Sequence, residues 1–153
     1  MLQYRKYLWL AKELYNDDKY NQEEITLRTI INRCYYAVFL HARELVSQAI
    51  KSVDALLFKQ YEEKIFKRGV IHSFVKKIIK LIDPPLGHIL GRLAELRRKS
   101  DYELYDVITK SETKEAIKLA INLISSIDKL MMTQLSIETY KIKKIVREYI
   151  VRR

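Results

Sequence analysis

Two prolines, three glycines and one cysteine in 153 residues give this chain little to turn with and nothing to staple itself with. Sheets of such a size need many reversals rich in glycine and asparagine, so the shortage argues for few, long elements, and those are helices. The lone Cys34 excludes an intramolecular disulfide and any thiolate metal cluster, and its place in an apolar helical run makes it a buried structural thiol. The three histidines, His41, His72 and His88, form no His-x-x-x-His or Glu-x-x-His pair, so no metal centre is expected. A glycine-rich phosphate loop and a nucleophile elbow are both missing, and no cofactor is expected. No uncharged run reaches the length that spans a bilayer, and Met1-Leu-Gln-Tyr-Arg-Lys6 lacks the apolar core of a signal peptide. The expectation is a cytoplasmic chain without membrane contact.

What is present is the mixture of a folded protein, with 48% apolar and 31% charged residues. A single domain over residues 1–153 is large enough to bury a core unaided. The balance of 29 Lys+Arg against 19 Asp+Glu leaves a formal charge of +10. Such an excess favours polyanions as partners, nucleic acid first, although a Lys-, Ile- and Glu-rich helical protein of a hot environment carries the same signature.

Hydrophobic spacing predicts a first helix over residues 2–16, stopped at Asn16-Asp-Asp-Lys19. No Gly or Pro interrupts residues 20–50. There Leu27, Ile31, Cys34, Val38, His41, Leu45 and Ala49 recur at three and four, and Ile30, Tyr35, Ala42 and Val46 widen the stripe. So broad a stripe makes contact on two sides, as the central helix of a bundle does. Two shorter helices, residues 53–67 and 71–82, separate at Arg68-Gly69, with Gly69 in the place of a residue following a helix C-terminus. Asp83 is the candidate N-cap of the next helix, with Pro84 and Pro85 in its first turn. Gly87 and Gly91, four apart on that helix, are read as letting a neighbouring helix approach closely. Thr109-Lys-Ser-Glu112 has the pattern of a capping box opening a final long helix. That helix either runs on into a tail or turns once at Ser136; from Lys141 to Arg153 the tail carries six cations and one acid, Glu148. The fold class is therefore all-α: an up-and-down bundle of four to five main helices with an extended basic C-terminal helix, its cationic side a solvated face.

The stretch Arg92-Leu-Ala-Glu-Leu-Arg-Arg-Lys-Ser-Asp-Tyr-Glu-Leu-Tyr105 concentrates the chemistry. Arg97, Arg98 and Lys99 stand immediately before Asp101 and Tyr102, a combination costly to bury and cheap to hold in a cleft or at a subunit interface. Arg33 precedes Cys34-Tyr35-Tyr36 inside an apolar run, so a carboxylate partner is expected for it, and Asp101 is the candidate. Tyr35 and Tyr36 beside Arg33 suit either base stacking or a core place with the hydroxyl at the rim. His41 lies on the apolar stripe and reads as a hydrogen-bonded core histidine. His88 shares a helical face with Arg92, a pair able to deprotonate a ribose 2′-hydroxyl and steady the phosphorane, against the plainer reading of a surface histidine.

Three features together resemble the HEPN domain, a nucleotide-binding helical bundle of prokaryotes and eukaryotes. Asn32-Arg-Cys-Tyr-Tyr-Ala-Val-Phe-Leu-His-Ala-Arg-Glu-Leu45 is similar to the family's S-R-A-Y-Y-A-x-F-x-x-A-x-x-L second helix. Leu93-Ala-Glu-Leu-Arg-Arg-Lys-Ser-Asp-Tyr102 is similar to its L-x-x-L-R-x-x-A-D-Y helix end, and Thr109 to Ala116 to its V-T-x-E-E-A entry. The resemblance covers about residues 5–130 and leaves residues 131–153 as a basic helical extension.

The resemblance implies four to five helices, a homodimer, and a cleft where the second and fourth main helices of two subunits face each other. It also implies a small nucleotidyltransferase partner in a toxin–antitoxin or defence pair, with a nucleotide or RNA as ligand. By position it carries Arg33, Arg97, Arg98 and Asp101 into the polar cleft, with Asn32 and Tyr102 at its edge. The ribonuclease branch of the family follows its arginine, four to six residues later, with a histidine; here Arg97 and Arg98 are followed by Asp101 and Tyr102 and no later histidine. An aspartate beside two arginines stays ionised, and a phenol with a pKa near 10 is a poor base, so binding is expected before catalysis. Two alternatives stand beside this. One is a metal-independent ribonuclease with Arg92, Arg97 or Arg98 on phosphate and His88 or His41 as base. The other is a purely structural dimer in which Arg33 and Asp101 satisfy each other.

Overall fold

The computed structural model describes residues 3–133 and 139–151. Seven α-helices follow one another, with no strand among the described residues. They are α1 (Gln3–Asn16), α2 (Glu24–Val53), α3 (Ala55–Tyr61), α4 (Ile71–Ile82), α5 (Pro84–Tyr102), α6 (Lys110–Met132) and α7 (Thr139–Val151). The all-α expectation holds. No helix among the described residues is long and apolar enough to cross a membrane.

The 30-residue α2 is the axis of the bundle and packs against α1, α3, α4, α5 and α6. Its wide stripe explains why: Ile30, Ile31, Cys34, Val38, Leu45 and Val46 are essentially inaccessible to water. Each large aliphatic chain shielded in this way contributes roughly 1.5–3 kcal/mol. Burial also pushes the Cys34 thiol up to about 12, which fixes it as an inert core group. The helix starts at Glu24 and not near residue 20, because Asp17 accepts from the amides of Tyr20 and Asn21 and the Asn21 side chain donates to the Tyr15 carbonyl at 3.1 Å. A local turn thus takes the residues between α1 and α2.

The helix predicted over residues 53–67 is two elements. Asp54 ends α2 and caps α3, its carboxylate accepting from the amides of Leu56 (2.8 Å) and Leu57 (3.0 Å). After Tyr61 the chain widens into a single π turn, Glu62–Phe66. Gly69 comes just after it, but no glycine among the described residues has positive φ, so the left-handed ending usual for a glycine in that position is not what closes this segment.

Asp83 caps α5 by accepting from Leu86 at 3.0 Å, with Pro84 and Pro85 opening the helix. The reading of Gly87 and Gly91 is borne out. A Cβ on Gly87 would lie 2.5 Å from the Lys80 Cα, so the α4 backbone rests directly on the α5 backbone there. At Gly91 the neighbour is the end of the Lys76 side chain, 3.2–3.3 Å from such a Cβ. The capping box of α6 is complete: Thr109 Oγ1 accepts from the Glu112 amide (3.1 Å) and Glu112 Oε2 from the Thr109 amide (3.0 Å). The α6 helix ends at Met132; Ser136, where a turn was expected, lies outside the described residues. The α7 helix packs on α3, α4 and the π turn, and its Ile142, Ile145, Val146 and Tyr149 join the same core as the other helices.

Candidate functional site

The C-terminal turn of α5 lies against the first half of α2, and the helical repeat decides which side chains meet. Asn32 on α2 donates through Nδ2 to both carboxylate oxygens of Asp101, each at 3.1 Å. Arg97, one turn before Asp101 on α5, brings its Nε to 2.7 Å from Asp101 Oδ2. The same guanidinium lies over three phenol rings, at 5.4 Å from Tyr35, 5.8 Å from Tyr36 and 5.3 Å from Tyr102. Burial works against the Arg97 charge, but Asp101 and then the phenols of Tyr102, Tyr36 and Tyr35 outweigh it and hold the group above its ordinary value.

Two polar atoms in this cluster are buried without a hydrogen-bond partner: Asn32 Oδ1 and Arg97 Nε. The Arg97–Asp101 contact is thus a close ion pair whose Nε–H is not aligned on the carboxylate. Shielded polar atoms left unmatched cost about 1–3 kcal/mol each, and a cluster holding two of them side by side is set up to receive a further polar group.

Asn32, Arg97, Asp101 and Tyr102 are therefore brought together as predicted. Arg33 is not paired with Asp101 within the subunit. One residue along a helix turns the side chain by about 100°, and Arg33 lies instead over the Tyr7 ring of α1, 5.3 Å from its centroid. Tyr7 in turn lies 6.4 Å from Tyr36, so Arg33 borders the cluster without entering it. The exposed Arg98 pairs with Glu103, and Lys99 with Glu112 at 2.7 Å.

His41 is the core histidine expected. It is buried, stacked on Tyr4 at 4.1 Å, and its Nε2 meets Asp128 Oδ1 at 2.7 Å. The exposed His88 stands nine residues before Arg97, roughly 13.5 Å along the helix axis. Neither imidazole joins the arginine cluster.

Three contributors gave no sequence signal. Arg28 donates to the carbonyls of Lys99 (3.2 Å), Ser100 (2.8 Å), Glu103 (3.2 Å) and Asp106, while Glu24 holds its other side at 2.7 Å. It thereby closes the open carbonyl end of α5 with a cation, where the helix dipole is negative. His72 on α4 puts Nδ1 2.8 Å from the Tyr35 hydroxyl and stacks on Phe39 at 4.0 Å. Burial, then Arg97, then Arg43 push this imidazole below its ordinary value, so it is neutral at pH 7, and burial raises the Tyr35 phenol to about 12. Lys76 reaches the same region past Gly91. Among the described residues no three His, Cys, Asp or Glu side chains gather as metal ligands would.

With this geometry established, similarity to known proteins adds a coarse placement. The chain is 27% identical over 111 residues to an uncharacterised protein of Methanocaldococcus jannaschii, covering 69% of this chain and 66% of that one. It is 25% identical over 123 residues to a UPF0332 protein of Thermotoga maritima, covering 79% of this chain and 85% of the relative. No protein-family model matches the chain, and no solved structure matches it.

Proposed function

We propose that this chain is a HEPN-like helical bundle that binds a nucleotide or RNA phosphate in the cleft around Arg97. In this reading it works as a homodimer beside a small nucleotidyltransferase, in a toxin–antitoxin or defence pair. The observation that carries the reading is the Arg97 cluster itself. A guanidinium set among three phenols, with unmatched polar atoms beside it, can offer charge to a phosphate and a ring face to a base. Asn32, Arg33, Asp101 and Tyr102 frame it, and Arg98 adds charge at the rim. The overall excess of cations raises the local concentration of any such anion.

Two measurements test this. Nucleotides or a short RNA should raise the melting temperature of the full chain, and Arg97→Ala should remove at least tenfold of the affinity behind that shift. A tagged chain should also retain a small protein with a Gly-Ser-x-x-Asp-x-Asp pattern, encoded beside it. A melting temperature indifferent to every nucleotide and RNA offered, with no such partner retained, overturns the reading and leaves the structural dimer.

A further inference from the structure

The cluster has a second side. Behind Arg97, between α2, α4 and α5, is a cavity of about 230 Å³ lined by Tyr35, His72, Lys76, Leu90, Arg97 and Arg98. No carboxylate is among its lining residues. Arg97 and Arg98 are each matched to an acid outside it, but Lys76 has no ion-pair partner among the described residues. Its alkyl chain lies across Gly91, where the missing methyl leaves the room it uses.

The floor is aromatic and its polar edge is oriented. With Tyr35 protonated and donating to His72 Nδ1, the imidazole carries its own proton on Nε2, which has no partner among the described residues. The cavity therefore offers one lysine ammonium, two guanidinium edges and one N–H, and nothing that repels an anion.

We propose that this cavity is a phosphoryl-group site, taking a phosphomonoester dianion on Lys76, Arg97, Arg98 and His72 Nε2. The volume supports an end group: it falls below the roughly 300–1,000 Å³ usual for sites that enclose a small molecule. A phosphate fits inside, with the remainder of a nucleotide outside. The proposal shares Arg97 with the proposed nucleotide-binding cleft and otherwise stands on α4, which that cleft does not use.

Isothermal titration of the full chain with inorganic phosphate, AMP and adenosine tests it. Phosphate and AMP should bind, and adenosine should not. Comparable affinities for the two mean that the free anion suffices; a much higher AMP affinity assigns the site to a nucleotide's phosphate, and both support it. Lys76→Ala and His72→Ala should each weaken AMP or phosphate at least tenfold. Lys118→Ala, which removes an exposed cation on α6, controls for net charge and should leave the affinity within about twofold. Because His72→Ala also opens a space against Phe39, Gly91→Ala is the milder variant: it crowds Lys76 without touching the core, and should weaken phosphate severalfold while the protein stays folded. No heat from phosphate or AMP overturns the proposal. So does an affinity lost in Asn32→Ala but retained in Lys76→Ala; that result moves the anion to the Asp101 edge and leaves the nucleotide-binding reading intact. Phosphate binding that needs Lys76, in a chain that retains no nucleotidyltransferase and no RNA, does the reverse.

Discussion

Replacing Gly87 with alanine should destabilise the protein by about 2–3 kcal/mol, the range seen when a methyl group is forced into filled space. The new Cβ would lie 2.5 Å from Lys80 Cα, 2.6 Å from its Cβ and 2.9 Å from its N. All three atoms are backbone or adjacent to it, so no rotamer change relieves the contact and α4 must move bodily away from α5. Helix propensity works the other way, since alanine gains roughly 1 kcal/mol over glycine in a helix interior, and the clash outweighs it. For a chain of this length each kcal/mol moves the midpoint by about 2–4 °C, so a fall of roughly 4–12 °C is expected in thermal denaturation. Gly91→Ala is the matched control. Its Cβ meets only the mobile end of Lys76, and its stability should equal or exceed that of the parent. A Gly87→Ala protein melting with the parent would show that the two helices do not touch backbone to backbone.

Arg28→Ala should cost about 3 kcal/mol, near the top of the usual range for a single substitution. One guanidinium here satisfies four carbonyls at and beyond the end of α5, and its side chain is only 14% exposed. Alanine leaves those carbonyls to whatever water can reach them and removes the cation from the negative end of the helix dipole. Arg28→Lys should recover little, because an ammonium is a point charge and cannot span carbonyls spread from Lys99 to Asp106. The effect is local as well as global. Amide exchange at Glu103, which donates to the Lys99 carbonyl, should quicken, and Asp101 should lose its fixed place beside Asn32. Unchanged amide protection at the end of α5 in Arg28→Ala would contradict this account.

The difference between Arg28 and Arg97 shows how far a sequence can be read. Arg97 was visible because it stands in a run of cations closed by an acid and a phenol, and its partner Asp101 is one turn away on the same helix. Capping signals were legible for the same reason: Asp83 and Thr109 act on amides three residues along. Arg28 acts across 71 to 78 residues of chain. Its only local signature, a glutamate four residues earlier, belongs to countless exposed helices. His72 escaped for the same cause, since its meeting with Tyr35 depends on how α4 is set against α2, and that is decided by Gly87 and Gly91. The Arg33–Asp101 pair failed on a smaller point. Asn32 and Arg33 are neighbours in sequence, but a single helical step carries one toward α5 and the other toward α1. The break between α3 and the π turn left no mark at all in the apolar pattern.

That π turn sets the tolerance of the chain to changes in length. Such a turn accommodates one residue more than the α-helical turn it replaces, so residues 62–66 form a stretch where a single deletion can be absorbed by tightening the coil. The cost falls on the side chains C-terminal to the deletion, rotated by about 100° about the helix axis. Phe66 would swing out from under the Arg43 guanidinium, now 4.5 Å from its ring. Arg43 is one of the two cations that keep His72 uncharged, so a relative one residue shorter at this point would hold its fold but carry a more basic imidazole in the cavity.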